Sequence, residues 1–427
     1  MKIAFYNIGC KVNYAEISAL KDSFTALGHE VVEPEAGAGA FFINTCSVTS
    51  RAEADCRKAI RRIKRENPGA WIGVLGCFAQ LRPKEIASID GVDAVFGMDE
   101  KNDIPELAGE MKKSGKPLIM VSDNSDARFY PACACDSESR TRAILKIQDG
   151  CDYHCSYCTV PKARGGNRGI EFESIPAQIE AVAEAGYKEA VLTGINLGEY
   201  RSPTGEKLID ALRLIDKIDT GIRIRISSIE PHLLTDEIID MAAGDSAVCP
   251  HFHVPLQSGS DEILKKMRRR YLSSDFRDLI LKIKRKSPHC GIGVDVISGF
   301  PGEDDKHFRE TYNLLESLPV SYLHAFSYSV RPGTPAAGMK GKVRGDIIKE
   351  RTAALNELSE RKRHQFYEDN LGRKFTLLSE GLIEGNYRLG WTENYIRCGI
   401  NASIEENELL KIVIKQPYGK YCLAETV

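Results

Sequence analysis

From residue 1 to about 125, apolar side chains come in short unbroken runs separated by amphipathic stretches. The runs at 2–7 (KIAFYN), 40–44 (AFFIN) and 71–75 (WIGVL) have the length of buried strands. Between them, 15–27 and 51–66 repeat apolar positions at helical spacing. Strand–helix–strand order predicts a parallel sheet with helices on its faces. Residues 123–140, rich in Ser, Asp, Ala and Pro, break the pattern and read as a linker. The alternation resumes with strand-like runs at 143–148, 190–192, 222–226, 251–255, 291–297 and 322–329. Six such units predict a partial TIM barrel, (βα)6, whose functional groups gather at the C-terminal strand ends. A charged helical stretch at 344–367 then leads to short β-like runs at 374–379, 395–398, 409–414 and 419–424. Turn residues separate these, which predicts a small antiparallel barrel. The chain therefore reads as α/β in three parts: 1–125, 137–366 and 367–427.

Composition narrows the function classes. With 427 residues, 42% hydrophobic and 28% charged, the chain has core enough for about two or three domains. A net charge of −2 gives no global pull toward nucleic acid or an anionic membrane. No apolar run reaches the length of a membrane span, and the opening M-K-I-A-F-Y-N-I-G-C is too short for a signal peptide. Thirteen cysteines in such a chain point to metal or redox chemistry in a reducing compartment, the cytoplasm.

Three of those cysteines, Cys151, Cys155 and Cys158, share one stretch, G-C-D-Y-H-C-S-Y-C, directly after the first strand of the second part. A [4Fe–4S] cluster normally takes four thiolates, and this loop supplies three. A structural site closes its coordination shell, whereas a working site keeps a position open. Zinc fits less well, because only one C-x2-C-like knuckle is present. A second set is dispersed: Cys10 in N-I-G-C-K-V-N, Cys46 in I-N-T-C-S-V-T and Cys77 in V-L-G-C-F-A-Q, each just past a predicted strand. Strand C-termini of a parallel sheet lie side by side, where such folds bind ligands. These three are expected to converge on a second cluster, again with one position open. Burial as small apolar residues is the plainer reading, and it is kept for Cys56, Cys133, Cys135, Cys249, Cys290, Cys398 and Cys422.

The loop at 151–158 closely resembles the signature of the radical S-adenosylmethionine (SAM) superfamily. That resemblance implies an open iron that chelates SAM and an electron that splits it to a 5′-deoxyadenosyl radical. Together with the N-terminal trio, essentially the whole chain resembles the methylthiotransferases. They combine an N-terminal domain holding an auxiliary cluster, a radical SAM barrel and a small TRAM β-barrel that binds RNA or protein. G-C-K-V-N at 9–13, N-T-C-S-V-T at 44–49, G-C-F-A-Q at 76–80, I-Q-D-G-C at 147–151, P-L-Q-S-G-S at 255–260 and K-M-R-R-R-Y at 266–271 resemble the MtaB type. That type is similar to enzymes adding a methylthio group to C2 of N6-threonylcarbamoyladenosine at tRNA position 37. Lys11-Val12-Asn13 fits less well the types acting on isopentenyladenosine, or on an aspartate of a ribosomal protein. The implied chemistry uses two [4Fe–4S] clusters and two molecules of SAM. One methylates a sulfur carried at Cys10, Cys46 and Cys77; the other is cleaved at Cys151, Cys155 and Cys158. Implied partners are the tRNA anticodon stem-loop, an external reductant and a sulfur source, for a monomer off the membrane.

The same resemblance assigns SAM contacts. Thr193, Gly194 and Asn196 stand where a turn meets the amino group, and Ser228 and Glu230 where polar groups reach the ribose. Gln257 follows the next strand, Gly299 and Phe300 stand in the segment lining the adenine, and Tyr157 faces it from the cluster loop. Each also suits an ordinary turn or cap. Basic side chains bunch at 57–65, 265–270 and 282–286, as phosphate attraction needs and as solvated helix faces also show. Residues 368–427 carry seven basic and nine acidic side chains, so RNA contact there falls to shape, a local patch or stacking. Tyr387, Trp391 and Tyr395 are the stacking candidates, or fill the small barrel. An RNA-binding protein with structural clusters is the competing class.

Overall fold

The computed structural model describes residues 1–34, 37–47, 49–111, 113, 115–124, 127–135 and 141–427. Its N-terminal sheet is parallel throughout, in the order β2-β1-β3-β4-β5-β6. These are β1 (Lys2–Ile8), β2 (Glu30–Val32), β3 (Ala40–Thr45), β4 (Trp71–Gly76), β5 (Ala94–Phe96) and β6 (Leu118–Met120). β3 and β4 are buried at every position, which is why they read as unbroken apolar runs. Helices α1 (Lys11–Ala26), α2 (Ser50–Glu66), α3 (Cys77–Leu81) and α4 (Pro83–Ala87) follow the strands. Phe5, Phe24, Phe42 and Trp71 fill one face, and Phe41, Ile43, Ile60 and Val74 the other. β2, β5 and β6 escaped the sequence reading because three residues carry no period. Register pairs Ile8 with Thr45 and Thr45 with Gly76, so three strands end level at one edge.

Six parallel strands of the central part run in the order β8-β11-β12-β13-β14-β15. They are β8 (Ala143–Lys146), β11 (Glu189–Thr193), β12 (Arg223–Ile226), β13 (His251–His253), β14 (Gly291–Ser298) and β15 (Tyr322–Ser327). A short antiparallel pair, β9 (Gln148–Asp149) and β10 (Arg168–Gly169), brackets α5 (Val160–Arg164). Outside lie α6 (Ile175–Glu184), α7 (Leu208–Asp216), α8 (Asp236–Ala243), α9 (Asp261–Lys266), α10 (Ser273–Lys286) and α11 (Asp305–Ser317). Leu145, Leu192, Ile224, Phe252 and Val294 face these helices. The alternate positions, among them Lys146, Arg225, His253 and Asp295, face the lumen, as period-two strands require.

The open seam of the barrel is covered at both rims. At one, Ser359 of α12 (Gly345–Glu368) receives the Leu323 N–H at 2.8 Å and donates to the Leu323 carbonyl at 2.9 Å, sealing the β15 edge. At the other, β7 (Ala132–Ala134) pairs antiparallel with β8, and Ala132 and Ala134 pack with Ala15 of α1. This corrects the linker assignment: 132–134 is an edge strand. Residues 125, 126 and 136–140 of that stretch lie outside the described residues. Cys133 and Cys135 are joined by a disulfide and half-buried, correcting their reading as small buried apolar residues.

The last part is a closed five-stranded barrel, β16-β17-β18-β20-β19, of β16 (Lys374–Glu384), β17 (Tyr387–Thr392), β18 (Arg397–Asn401), β19 (Leu409–Tyr418) and β20 (Tyr421–Thr426). β17 was missed although its Tyr387, Leu389 and Trp391 alternate with Arg388, Gly390 and Thr392, the period of a half-buried strand. Two arginines of β12 clamp this barrel to the central one. Arg223 donates to the carbonyls of Thr376 and Trp391 (2.9 and 2.8 Å), and Arg225 to those of Glu393 and Thr392 (2.9 and 3.2 Å).

Candidate active site

The loop after β9 turns at Gly150, whose φ of 69° and approach to the Gly166 carbonyl (1.8 Å from an added Cβ) admit no side chain. The turn presents the three sulfurs to N–H donors. Tyr153 N–H donates to Cys151 Sγ and Val160 N–H to Cys158 Sγ, each at 3.4 Å. Arg269 Nη1 donates to Cys155 Sγ at 3.3 Å, and the Asn196 amide lies 3.9 Å from Cys151 Sγ. Burial nevertheless pushes the Cys151 and Cys158 thiols up to about 12. A metal must therefore displace protons to bind here. Three soft sulfur ligands, each with a donor aimed at it, fit a [4Fe–4S] cluster with one open iron.

Each cysteine of the dispersed trio stands just past one of the level strand ends of the N-terminal sheet. Cys10 caps α1 and donates to Asn13 Oδ1 at 3.1 Å; Cys46 follows β3; Cys77 opens α3. Asn13 and Asn44 bond reciprocally at 3.0 and 2.9 Å and fix α1 against β3. Gly76, at φ 94°, passes so close that a Cβ would lie 2.3 Å from Asn44 Oδ1. Burial pushes the Cys77 thiol up, opposed by Arg164, whose Nε donates to its Sγ at 3.3 Å.

The two trios adjoin. Ser47, next to Cys46, shares a 3.4 Å hydrogen bond with Thr159, next to Cys158. Arg164, fully buried on α5, reaches Cys77 with one nitrogen and Glu16 and Asp149 with another (2.9 and 3.0 Å). Lys101 and Lys146 complete the cluster on Glu16 at 2.7 and 3.1 Å. Burial pushes the Glu16 and Asp149 carboxyls up, but the surrounding cations, led by Arg164, hold both well below the usual range. The sequence reading missed this network. No local spacing links Glu16 to Arg164, and partner identity across 148 positions leaves no periodic trace.

Comparison with known proteins now decides the family. Residues 145–315 match the radical SAM superfamily and residues 2–97 the uncharacterized protein family UPF0004. Over 97% of this chain and 100% of the relative, 36% of residues are identical to threonylcarbamoyladenosine tRNA methylthiotransferase MtaB of Aquifex aeolicus (strain VF5). A tRNA-2-methylthio-N(6)-dimethylallyladenosine synthase of Fusobacterium nucleatum is 33% identical over 90% of this chain and 89% of its own. The chain belongs to the radical SAM methylthiotransferase family. Its fold resembles that of TsrM, a radical SAM methyltransferase from Kitasatospora setae, with a TM-score of 0.57 at 16% identity over 79% of this chain and 75% of that one. Membership implies SAM and a [4Fe–4S] cluster. Among the described residues, no helix is long and apolar enough to cross a membrane.

The SAM candidates of this methylthiotransferase divide into two groups. Thr193 ends β11, Gly194 passes against Gln148, and the Asn196 N–H donates to Gln148 Oε1 at 2.9 Å. Asn196 Oδ1 is buried without a partner, as is Ser227 Oγ beside Ser228, so polar atoms wait beside the cluster loop. This fits a polar ligand there. Glu230 pairs with Arg269, and Gln257 bridges to Val296 of β14. Phe300 is fully buried, its ring 6.4 Å from Tyr157, so it supports Tyr157 rather than lining a cavity itself. Gly299 passes against Ile348 of α12.

The basic bunches are largely tied down. Arg269 turns inward to Cys155 and Glu230, and the Arg270 guanidinium sits 3.7 Å from the Tyr153 ring centre. Lys282 pairs with Asp236, Lys286 with Asp240, Arg57 with Glu85 and Lys64 with Asp90. Nor do the aromatic candidates share one stacking surface. Tyr395 is sandwiched between His251 and Trp391, with ring centres 4.3 Å away on each side, and closes the floor of the central barrel. Tyr387 packs on Tyr418 and Tyr421. Above that floor, His253 and His324 approach Asp295 Oδ1 at 2.8 and 3.4 Å, a lumen layer that no motif announced.

Proposed function

We propose that this enzyme adds a methylthio group to C2 of N6-threonylcarbamoyladenosine at tRNA position 37, with one [4Fe–4S] cluster on each cysteine trio. The observation that carries the reading is the adjacency of two three-thiolate sets, tied by Ser47–Thr159 and by Arg164. One cluster would suffice to cleave SAM; a second open set beside it gives the incoming sulfur a place. The substrate is the one for which the Aquifex relative is named.

SAM bound at the loop of Cys151, Cys155 and Cys158 supplies hydrogen-abstracting chemistry that acid–base side chains cannot direct at an unactivated aromatic C–H bond. The residues of the chain position and protect. The Tyr153 and Val160 N–H groups and Arg269 favour negative charge on the loop sulfurs. Asn196 offers a carbonyl oxygen to an ammonium donor beside Cys151. Arg164 orients Cys77 and excludes water from the seam between the trios. The tRNA anticodon stem-loop, an external reductant and a sulfur source are the implied partners.

Nucleoside mass spectrometry of tRNA from cells lacking the gene tests the reading. The 2-methylthio form of N6-threonylcarbamoyladenosine should vanish and its unmethylthiolated precursor accumulate. Wild type should restore it, and Cys46→Ala should not. Persistence of the methylthio form, with no second enzyme to make it, sinks the substrate assignment. Loss of methylthio-isopentenyladenosine instead would keep the chemistry and change the substrate.

A further inference from the structure

A cavity of about 790 Å³ opens where the three parts of the chain meet, at the N-terminal ends of β8 and β11. Its lining includes Lys11 of α1, Arg142 before β8, Val191 of β11, Arg225 of β12 and Tyr395 of the small barrel. It thus reaches from the barrel floor to the residue beside Cys10. Most charges around it are spoken for. Arg225 holds Glu189 at 2.7 Å and carbonyls of the small barrel, Arg223 holds the same glutamate, and Arg142 meets Glu380 at 3.3 Å.

Lys11 is different. Among the described residues its ammonium has no hydrogen-bond or ion-pair partner, and the charged groups acting on it are Tyr395, Arg142, Arg225 and Glu189. It is also the first residue of α1, whose first turn holds no acid, so it meets the positive end of a helix dipole. Glu189 is already shared by Arg223 and Arg225, so a cation facing two arginines and a helix N-terminus has no hydrogen-bonded carboxylate of its own. The Tyr395 hydroxyl occupies the same field. Burial raises its pKa, yet Arg142, Lys11 and Arg225 overcome that and lower it. Tyr395 holds a left-handed backbone, φ 68°, which bulky side chains rarely adopt; its ring stacks keep it there.

We propose that Lys11, backed by Arg142 and Tyr395, is a carboxylate-reading subsite for an amino-acid group carried on N6 of the target adenine. This rests on the substrate reading above and gives it a physical selector. The cavity has the size of a ligand pocket. A free carboxylate there completes the charge set beside Cys10, while an apolar N6 substituent leaves Lys11, which lines the cavity, without a partner. Sites that pair a polar group reject the analogue lacking it far more strongly than apolar pockets sort by size.

The test is equilibrium binding of the reconstituted holoenzyme to two synthetic anticodon stem-loops at one salt concentration. They differ only in whether the threonylcarbamoyl carboxylate is free or a methyl ester, and fluorescence anisotropy reads the affinity. The acid should bind about tenfold more tightly, as a charge-assisted contact allows. Lys11→Met should bring the ratio near one, and Lys11→Arg should keep most of it. Iron content shows whether Lys11→Met retains both clusters; if it does not, the wild-type comparison still decides. Equal wild-type affinity for acid and ester overturns the subsite, as does an unchanged ratio in iron-replete Lys11→Met. The substrate reading fails separately, if wild type leaves the free-acid stem-loop unmodified and methylthiolates an isopentenyl one.

Discussion

The two cysteine trios contain the same thiols and are built in opposite ways. Cys151, Cys155 and Cys158 lie in one loop, and two of the three sulfurs draw N–H groups from that loop's own backbone. Cys10, Cys46 and Cys77 span 67 positions and come to one edge only because β1, β3 and β4 end level. Their arginine, Arg164, comes from the other side of the domain seam. A loop site depends on local turn geometry; a sheet-edge site depends on register and on domain packing. Damage to the seam should therefore reach the dispersed trio first.

The largest expected effect separates the trios outright. Cys155→Ala should remove about four irons and abolish SAM cleavage. Cys46→Ala should also remove about four irons, yet leave SAM cleavage running while methylthiolation stops. Iron analysis and product chromatography read both, and loss of all iron from either variant would break the distinction. Next comes Arg164→Met, which strands Glu16 and Asp149 without their shared arginine. It should cost about 3–5 kcal/mol in denaturant unfolding, as removing one partner of a buried ion pair does. Iron should leave the dispersed site at lower denaturant than the loop site; simultaneous release would contradict the seam argument.

Smaller effects sharpen the picture. Arg269→Met removes the donor on Cys155 and the partner of Glu230, so SAM cleavage should fall about tenfold with auxiliary iron unchanged. Glu16→Gln tests the seam by pH. Burial raises the Glu16 carboxyl, but Arg164, Lys101 and Lys146 hold it well below the usual range. The folded state thus favours the carboxylate, and its stabilisation is present above the ordinary glutamate value of about 4.3. It is lost as pH falls from there through the folded value. The gap in unfolding midpoint between wild type and Glu16→Gln should be widest near neutrality and narrow below about pH 4. A constant gap would mean that Glu16 acts through shape rather than charge.

Much of this arrangement was legible beforehand. Continuous apolar runs marked β3 and β4, since a strand buried on both faces needs nothing else. The loop trio was visible because its three ligands are near neighbours in sequence. The placement of Cys10, Cys46 and Cys77 at one sheet edge likewise followed from a general property of parallel sheets, that strand ends lie together. Three-residue strands such as β5 and β7 were not legible, because so short a run has no measurable period.

By itself, the sequence determined the longer strands and helices, the faces they bury, and which thiols stand at strand ends. These depend on side-chain period and local spacing. Only the tertiary structure decided partners. It set Arg164 against Cys77 and Glu16, turned Arg269 inward to Cys155, buried Phe300 beneath Tyr157 and placed Tyr395 in the barrel floor. It also left Lys11 facing a cavity beside Cys10. A period reports that a side chain is enclosed; which distant group it meets depends on how separate elements pack, and packing is a property of the whole fold.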